Sequence, residues 1–290
     1  MRKRLSKLLP KRFRKESVTI PVVRLQGMIA SGGTAFNPTL SLASCASNLE
    51  RAFKMKEAPA VALAVNSPGG SPVQSRLIYK RIRDLAKEHE KEVLVFCEDV
   101  AASGGYMIAC AGEEIFADPS SIIGSIGVIS AGFGFVEAIE KLGVERRVYT
   151  AGKNKSTLDP FSPAKPEDIE RIKELQLEIH DVFIDLVKAA RGDKLADDDD
   201  LFTGRFWAGE KAQELGLIDD IGDVRSVIKQ RFGEKAELQL ITQPRGLFGR
   251  RAGMGGVDLG GFDANQFGAN AAHGMLAAVE ERALWNRYGL

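Results

Sequence analysis

Histidine is scarce in this chain: only His89, His180 and His273 occur among 290 residues, and none sits in a His-Glu-x-x-His or similar pattern. We expect all three to be structural or surface groups, which leaves a metal centre or a Ser-His-Asp triad little to draw on. Cysteine is equally sparse. Cys45, Cys97 and Cys110 are odd in number and lack a Cys-x-x-Cys spacing. That excludes a disulfide framework and a zinc site, and points to buried thiols in a reducing compartment. No apolar run approaches the roughly 20 residues that span a bilayer. The stretch from Val18 to Ala30 is broken by Arg24 and Gln26, and reads as a strand. No signal-peptide apolar region follows the basic N-terminus, so the expected location is the cytoplasm. A charge excess is missing too. Forty Lys and Arg against 39 Asp and Glu give a net charge of +1, no electrostatic case for nucleic acid. Neither GxxxxGK[ST] nor GxGxxG occurs, which excludes the usual phosphate loops. The run Asp197–Asp200 does not make a cation site, because four ligands in a row on one short segment cannot all converge. No cofactor or metal is expected.

What remains is an ordinary globular composition, 44% hydrophobic and 27% charged, able to bury one good-sized core. Three parts are expected. Residues 1–16 form a basic arm, with eight Lys or Arg among the first 15 interleaved with Leu5, Leu8, Leu9 and Phe13. Such an arm suits peripheral contact with an anionic membrane, or equally a solvated tail, and Pro10 interrupts any continuous helix. Residues 17–243 carry alternating strand and helix patterns, and 244–290 a Gly-rich linker with a terminal helix over 271–288.

Within the central part, VTIPVVRLQGMI, AVALAV (60–65) and EVLVFCE (92–98) read as strands. Residues 40–56 and 72–90 read as helices. EEIFAD, IGVIS (126–130) and RRVYT (146–150) read as further short strands, with a helix at 135–142 between the last two. A long helix spans 165–191, whose Ile169, Ile172, Leu175, Ile179, Val182, Phe183 and Leu186 recur at helical spacing and are expected in the core. ELQLIT (237–242) is strand-like.

Two glycine-rich turns follow buried strands and precede helices: Asn66-Ser67-Pro68-Gly69-Gly70-Ser71, and Ala102-Ser103-Gly104-Gly105-Tyr106. A serine at such a junction sits at a helix N-terminus, where a developing anion is favoured. The other turn can aim backbone N–H groups at the same point as an oxyanion hole. A serine nucleophile still needs a base, and without histidine a lysine is the known substitute. That lysine must be neutral near pH 7, well below a free pKa of about 10.4. Spacing alone leaves the lysine open, although AGKNKSTLDPF follows a strand-like segment and holds two.

These residues carry a resemblance. NSPGG, then ASGGYMIACAGEEIFADPSSIIGSIGV, then GKNKSTLDPF, then FTGRFWAGEKAQELGLIDDIG together resemble the signal peptide peptidase A family of bacterial serine peptidases, peptidase family S49. The likeness covers about residues 17–243. It implies Ser103 as nucleophile and Lys155 as general base, with Lys153 two positions too early. It implies Ser125 as the hydroxyl that orients the lysine, and Gly69, Gly70 and Gly104 as candidates for oxyanion or substrate binding. The implied fold is the ClpP/crotonase-like α/β fold, a spiral of β-sheets with flanking helices. The implied partners are peptide substrates and further copies of the chain, in ring-like homo-oligomers whose active sites lie near subunit boundaries. The implied activity cleaves signal-peptide remnants and other short or unfolded hydrophobic peptides without ATP. Many members carry an N-terminal membrane anchor, and this sequence shows none. The alternatives are an acyl-CoA enzyme of the same fold, or a non-catalytic scaffold. Intact Ser103, Ser125 and Lys155 speak against the latter.

Overall fold

The computed structural model describes residues 17–33, 38–242, 279 and 282–290. The basic arm and most of the 244–290 segment lie outside the described residues. Three apolar runs set the frame: β1 (Thr19–Gln26), β2 (Ala60–Ser67) and β3 (Glu92–Ala102) lie parallel and side by side. All of β2 is buried, as expected of a parallel strand covered on both faces. Alternation sorts its side chains, so that Val61, Leu63 and Val65 enter one core and Ala60, Ala62 and Ala64 the other. α1 (Leu42–Phe53) and α2 (Pro72–His89) contribute Leu49, Phe53, Ile78 and Ile82 to the first core. Phe96 and Phe116, stacked at 5.2 Å, fill the second beside the small alanines. Both helices have strong starts. Ser41 and Ser44 form a capping box on α1, and Ser71 caps α2 with Pro72 in its first turn. Each cap contributes on the order of 1 kcal/mol.

β3 is long enough to take two partners in succession. Leu94–Cys97 pair with β4 (Glu114–Ala117), and Val100–Ala102 with β5 (Ile122–Gly124). The ladder with β2 shifts register between Val65 and Ser67, the kind of irregularity that sharpens local twist. α3 (Gly104–Ala109) begins directly after this bend. Next come α4 (Val136–Lys141), α5 (Pro166–Arg191), β6 (Phe206–Ala208) and α6 (Gly209–Glu214). β7 (Asp220–Ile221), α7 (Val224–Phe232) and β8 (Glu237–Leu240) complete the order. Along the sheet the strands run β6-β5-β3-β2-β1-β8, with β4 and β7 branching from β3. This is the expected α/β class, one eight-stranded sheet flanked by helices on both faces.

An ion pair ties the end of α5 to the sheet. The Arg191 side chain is 2% exposed, and it donates to Asp219 at 2.7 Å and to the Gly216 carbonyl at 2.8 Å. Asp219 also accepts from the Ile115 N–H at 2.8 Å. Burial alone would raise the Asp219 pKa, but bonds from Arg191, Lys194 and Ile115 overcome it and hold the carboxyl below its ordinary value.

The structure corrects three expectations. IGVIS at 126–130 is not a strand: β5 stops at Gly124, because Ser125 turns to φ +52° and gives its N–H to the Arg205 carbonyl. RRVYT at 146–150 has no strand partner among the described residues and lies exposed. The apolar stripe of α5 enters the core only through its last turns. Phe183 and Leu186 are buried, whereas Ile169, Leu175 and Val182 are 41%, 50% and 47% exposed. Among the described residues the first half of α5 is covered only in part: Asp168 is buried and Ile172 and Ile179 half-buried, while the rest of the stripe faces outward. That outward face continues an excursion, residues 127–167, in which no residue is buried.

Candidate active site

Ser103 sits at the bend between β3 and α3. It adopts φ +53°, a sparsely populated conformation for a residue with a side chain. Its N–H donates to the Gly124 carbonyl at 2.8 Å, and its own carbonyl accepts from Met107 N–H at 3.0 Å. Both neighbours are therefore fixed while the side chain is turned out at the head of a helix. This is the geometry of a nucleophile elbow.

The glycine turn after β2 closes over it. A Cβ placed on Gly69, at φ +101°, would lie 2.7 Å from the Ser103 Cβ and 2.9 Å from the Gly104 nitrogen. On Gly70 it would meet the Ile29 carbonyl oxygen at 2.2 Å. Only glycine lets the two turns come this close. The Gly69 N–H donates to Ser67 Oγ at 3.2 Å, and that hydroxyl donates to the Gly27 carbonyl at 2.7 Å. The N–H groups of Gly70 and Gly104 have no partner among the described residues. Gly70, Ser103 and Gly104 line one cleft of about 240 Å³, walled by Met107, Ile129 and Phe183. A nucleophile, two free amides and an apolar wall thus share one cavity.

Ser125 is 2% exposed and follows the residue that accepts the Ser103 N–H. Its Oγ accepts a hydrogen bond from the Tyr288 hydroxyl at 3.3 Å. The structure does not bring Lys155 to this pair. Lys155 is exposed in a turn of the excursion, its N–H bonded to the Gly152 carbonyl, and it does not line the cleft. Lys153 is exposed in the same turn.

Other candidate chemistry is absent among the described residues. His180 bonds the Ile126 carbonyl at 3.0 Å and His89 stacks on Phe53, while His273 lies outside the described residues. The three cysteines are free and buried, and burial pushes the Cys45 and Cys110 thiols up to about 12, far from a usable thiolate. No group of three or more His, Cys, Asp or Glu among the described residues could hold a metal ion. Tyr288 is the participant that the sequence did not reveal. It lies 163 positions from Ser125, and nothing in RALWNRY signals a contact with a distant serine.

The model of Peptidase family S49 matches residues 85–239, which contain Ser103, Ser125 and Lys155. A relative from Brucella abortus (strain 2308), named Na(+)/H(+) antiporter NhaA, is 62% identical over 99% of this chain and 39% of its own length. The chain thus spans about two-fifths of that relative, and no helix among the described residues is long and apolar enough to cross a membrane. A putative protease from Synechocystis sp. is 32% identical over 68% of this chain and 73% of its own. A putative signal peptide peptidase SppA from Enterococcus faecium is 34% identical over 60% and 50%. The fold and the elbow define an α/β protein that presents a serine at a strand–helix bend. The chain belongs to peptidase family S49.

Proposed function

We propose that the chain is an ATP-independent serine endopeptidase that hydrolyses short or unfolded hydrophobic peptides, including signal-peptide remnants. Ser103 is the nucleophile, Lys155 the base and Ser125 the residue that orients it. The observation that carries this reading is the Ser103 elbow, with the amides of Gly70 and Gly104 free beside it. The apolar cleft wall supports a hydrophobic substrate.

In this mechanism neutral Lys155 takes the Ser103 proton as Oγ attacks the peptide carbonyl carbon. The oxygen gains negative charge and is held by backbone amides of the 69–70 turn and of Gly104. Collapse breaks the C–N bond, and the lysine returns its proton to the leaving amine. Water then attacks the acyl-enzyme with the same lysine as base, releasing the acid and restoring Ser103.

Because Lys155 stands on the excursion, we infer that it reaches Ser103 and Ser125 of a second copy in a ring-like homo-oligomer. Ile129, Phe133, Leu142 and Tyr149 on the excursion are 67%, 72%, 77% and 90% exposed, an apolar surface suited to a neighbouring subunit. Burying such side chains contributes roughly 1.5–3 kcal/mol each. Residues 1–15 complete the proposal as a peripheral contact with the anionic inner face of the cytoplasmic membrane.

The test is fluorophosphonate labelling with peptidase assay. Wild type should label at Ser103 and cleave peptide, while Ser103→Ala and Lys155→Ala should each lose activity by 1,000-fold or more, an order of magnitude taken from catalytic-residue deletions. Mixing the two inactive variants should restore part of the activity, since a mixed ring holds some intact pairs. Labelling that persists in Ser103→Ala sinks the nucleophile, and activity in Lys155→Ala sinks the base.

A further inference from the structure

We propose that Tyr288 is a positioning residue for the general base and acts through Ser125; the inference rests on the Ser–Lys reading above. Ser125 is almost fully buried, and its Oγ accepts from the Tyr288 hydroxyl at 3.3 Å. A phenol is the more acidic of the two hydroxyls, so it is the natural donor. Once Ser125 accepts from Tyr288, its own proton must point to another group. It donates to no described residue.

A hydroxyl proton left without an acceptor beside the Ser103 cleft selects its partner. An ammonium group has three donors and no lone pair, whereas a neutral amine has one lone pair to offer. The ordered pair Tyr288–Ser125 therefore favours a neutral lysine, whose lone pair takes the Ser125 proton, over a charged one, which can use only the remaining lone pair of Oγ and leaves that proton unpaired. A hydrogen bond made only to the neutral form lowers the lysine pKa, which is what a base working near pH 7 requires. Ser125 alone could turn its proton either way. Tyr288 removes that freedom.

Tyr288 is held firmly enough for this task. It is 8% exposed, packs with Val100, Ala102, Ile122 and Trp285, and sets its ring edge-on to Phe206 at 5.1 Å. Leu284 and Arg287 from the same segment line the Ser103 cleft. The C-terminal residues are thus built into the wall of the site rather than hung from it.

The test is the pH dependence of kcat/KM for the full chain and for Tyr288→Phe, which keeps the ring and its packing and removes only the hydroxyl. The acid limb should move to higher pH by roughly 0.5–1 unit, with kcat at neutral pH falling roughly 3- to 10-fold and KM little changed. Ser125→Ala should move the limb in the same direction, and Tyr288→Phe added to it should move it no further. An unshifted limb in Tyr288→Phe, or a faster enzyme, overturns the proposal while leaving the dyad intact. Full activity in Lys155→Ala overturns both.

Discussion

The nucleophile and the base sit in regions built on opposite principles. Ser103 stands at the end of β3, whose neighbours β2 and α3 are wholly buried. Lys155 stands on an excursion of about forty residues in which no residue is buried as a whole. The excursion is not shapeless, since Phe135 stacks on Phe161 at 5.6 Å and Arg146 lies 5.5 Å over the same ring. It has local order and no buried foundation among the described residues. One region carries the strain of the elbow because the core over-determines it. The other has its apolar groups turned outward, where only another surface can use them.

This contrast predicts a gradient of stability effects. The largest belongs to the clamp under the rigid region. Arg191→Met leaves Asp219 half-buried with only Lys194 as cationic partner, and should cost about 3 kcal/mol. Thermal unfolding across pH provides the sign check. The folded Asp219 pKa is lowered, so its contribution is fully present above the unfolded value near pH 4 and is lost as pH falls through the folded pKa. The gap between wild type and Arg191→Met in melting temperature should therefore narrow below about pH 4. A gap that stays constant down to pH 2 breaks the assignment. Next comes Gly69→Ala, which forces a side chain into φ +101° and against Ser103. It should cost roughly 1–3 kcal/mol and lower kcat by about 100-fold, because the nucleophile is displaced. Wild-type rates in this variant would mean that the two turns do not work as one site.

The same contrast explains what could be read from the chain. The buried runs AVALAV and EVLVFCE announced β2 and β3, because a strand covered on both faces needs only hydrophobicity. The elbow was legible in Ser103-Gly104-Gly105 after such a strand, and Ser125 and Lys155 came from motif resemblance. IGVIS and RRVYT misled because strand propensity says nothing about a partner, and neither segment has one among the described residues. The stripe of α5 misled in a more useful way. Its period is that of a helix that buries one face, and only the last turns bury it within this chain. α7 had a readable start in Asp223, which caps the N–H groups of Arg225 and Ser226, yet its short amphipathic run was passed over. Tyr288 had no local signal, since a contact between residues so far apart in the chain is a product of the whole fold.

The smallest expected effect on folding is the sharpest test of the excursion. Tyr149 is 90% exposed and touches little within its own chain. Tyr149→Asp should therefore move the melting temperature of the dissociated chain by less than about 2 °C, as for surface changes within ±0.5 kcal/mol. The same change places a charge on the surface assigned to a neighbouring subunit, where desolvating an unpaired carboxylate is costly. Sedimentation should show a shift toward smaller species, with peptidase activity falling in step with the lost assembly. Because the elbow is untouched, the fall should be partly reversed at high protein concentration by mass action. A variant that assembles and cleaves like wild type would detach the excursion from the active site. A variant that melts several degrees lower would mean that the excursion has a foundation in its own chain after all, and the contrast between the two regions would collapse.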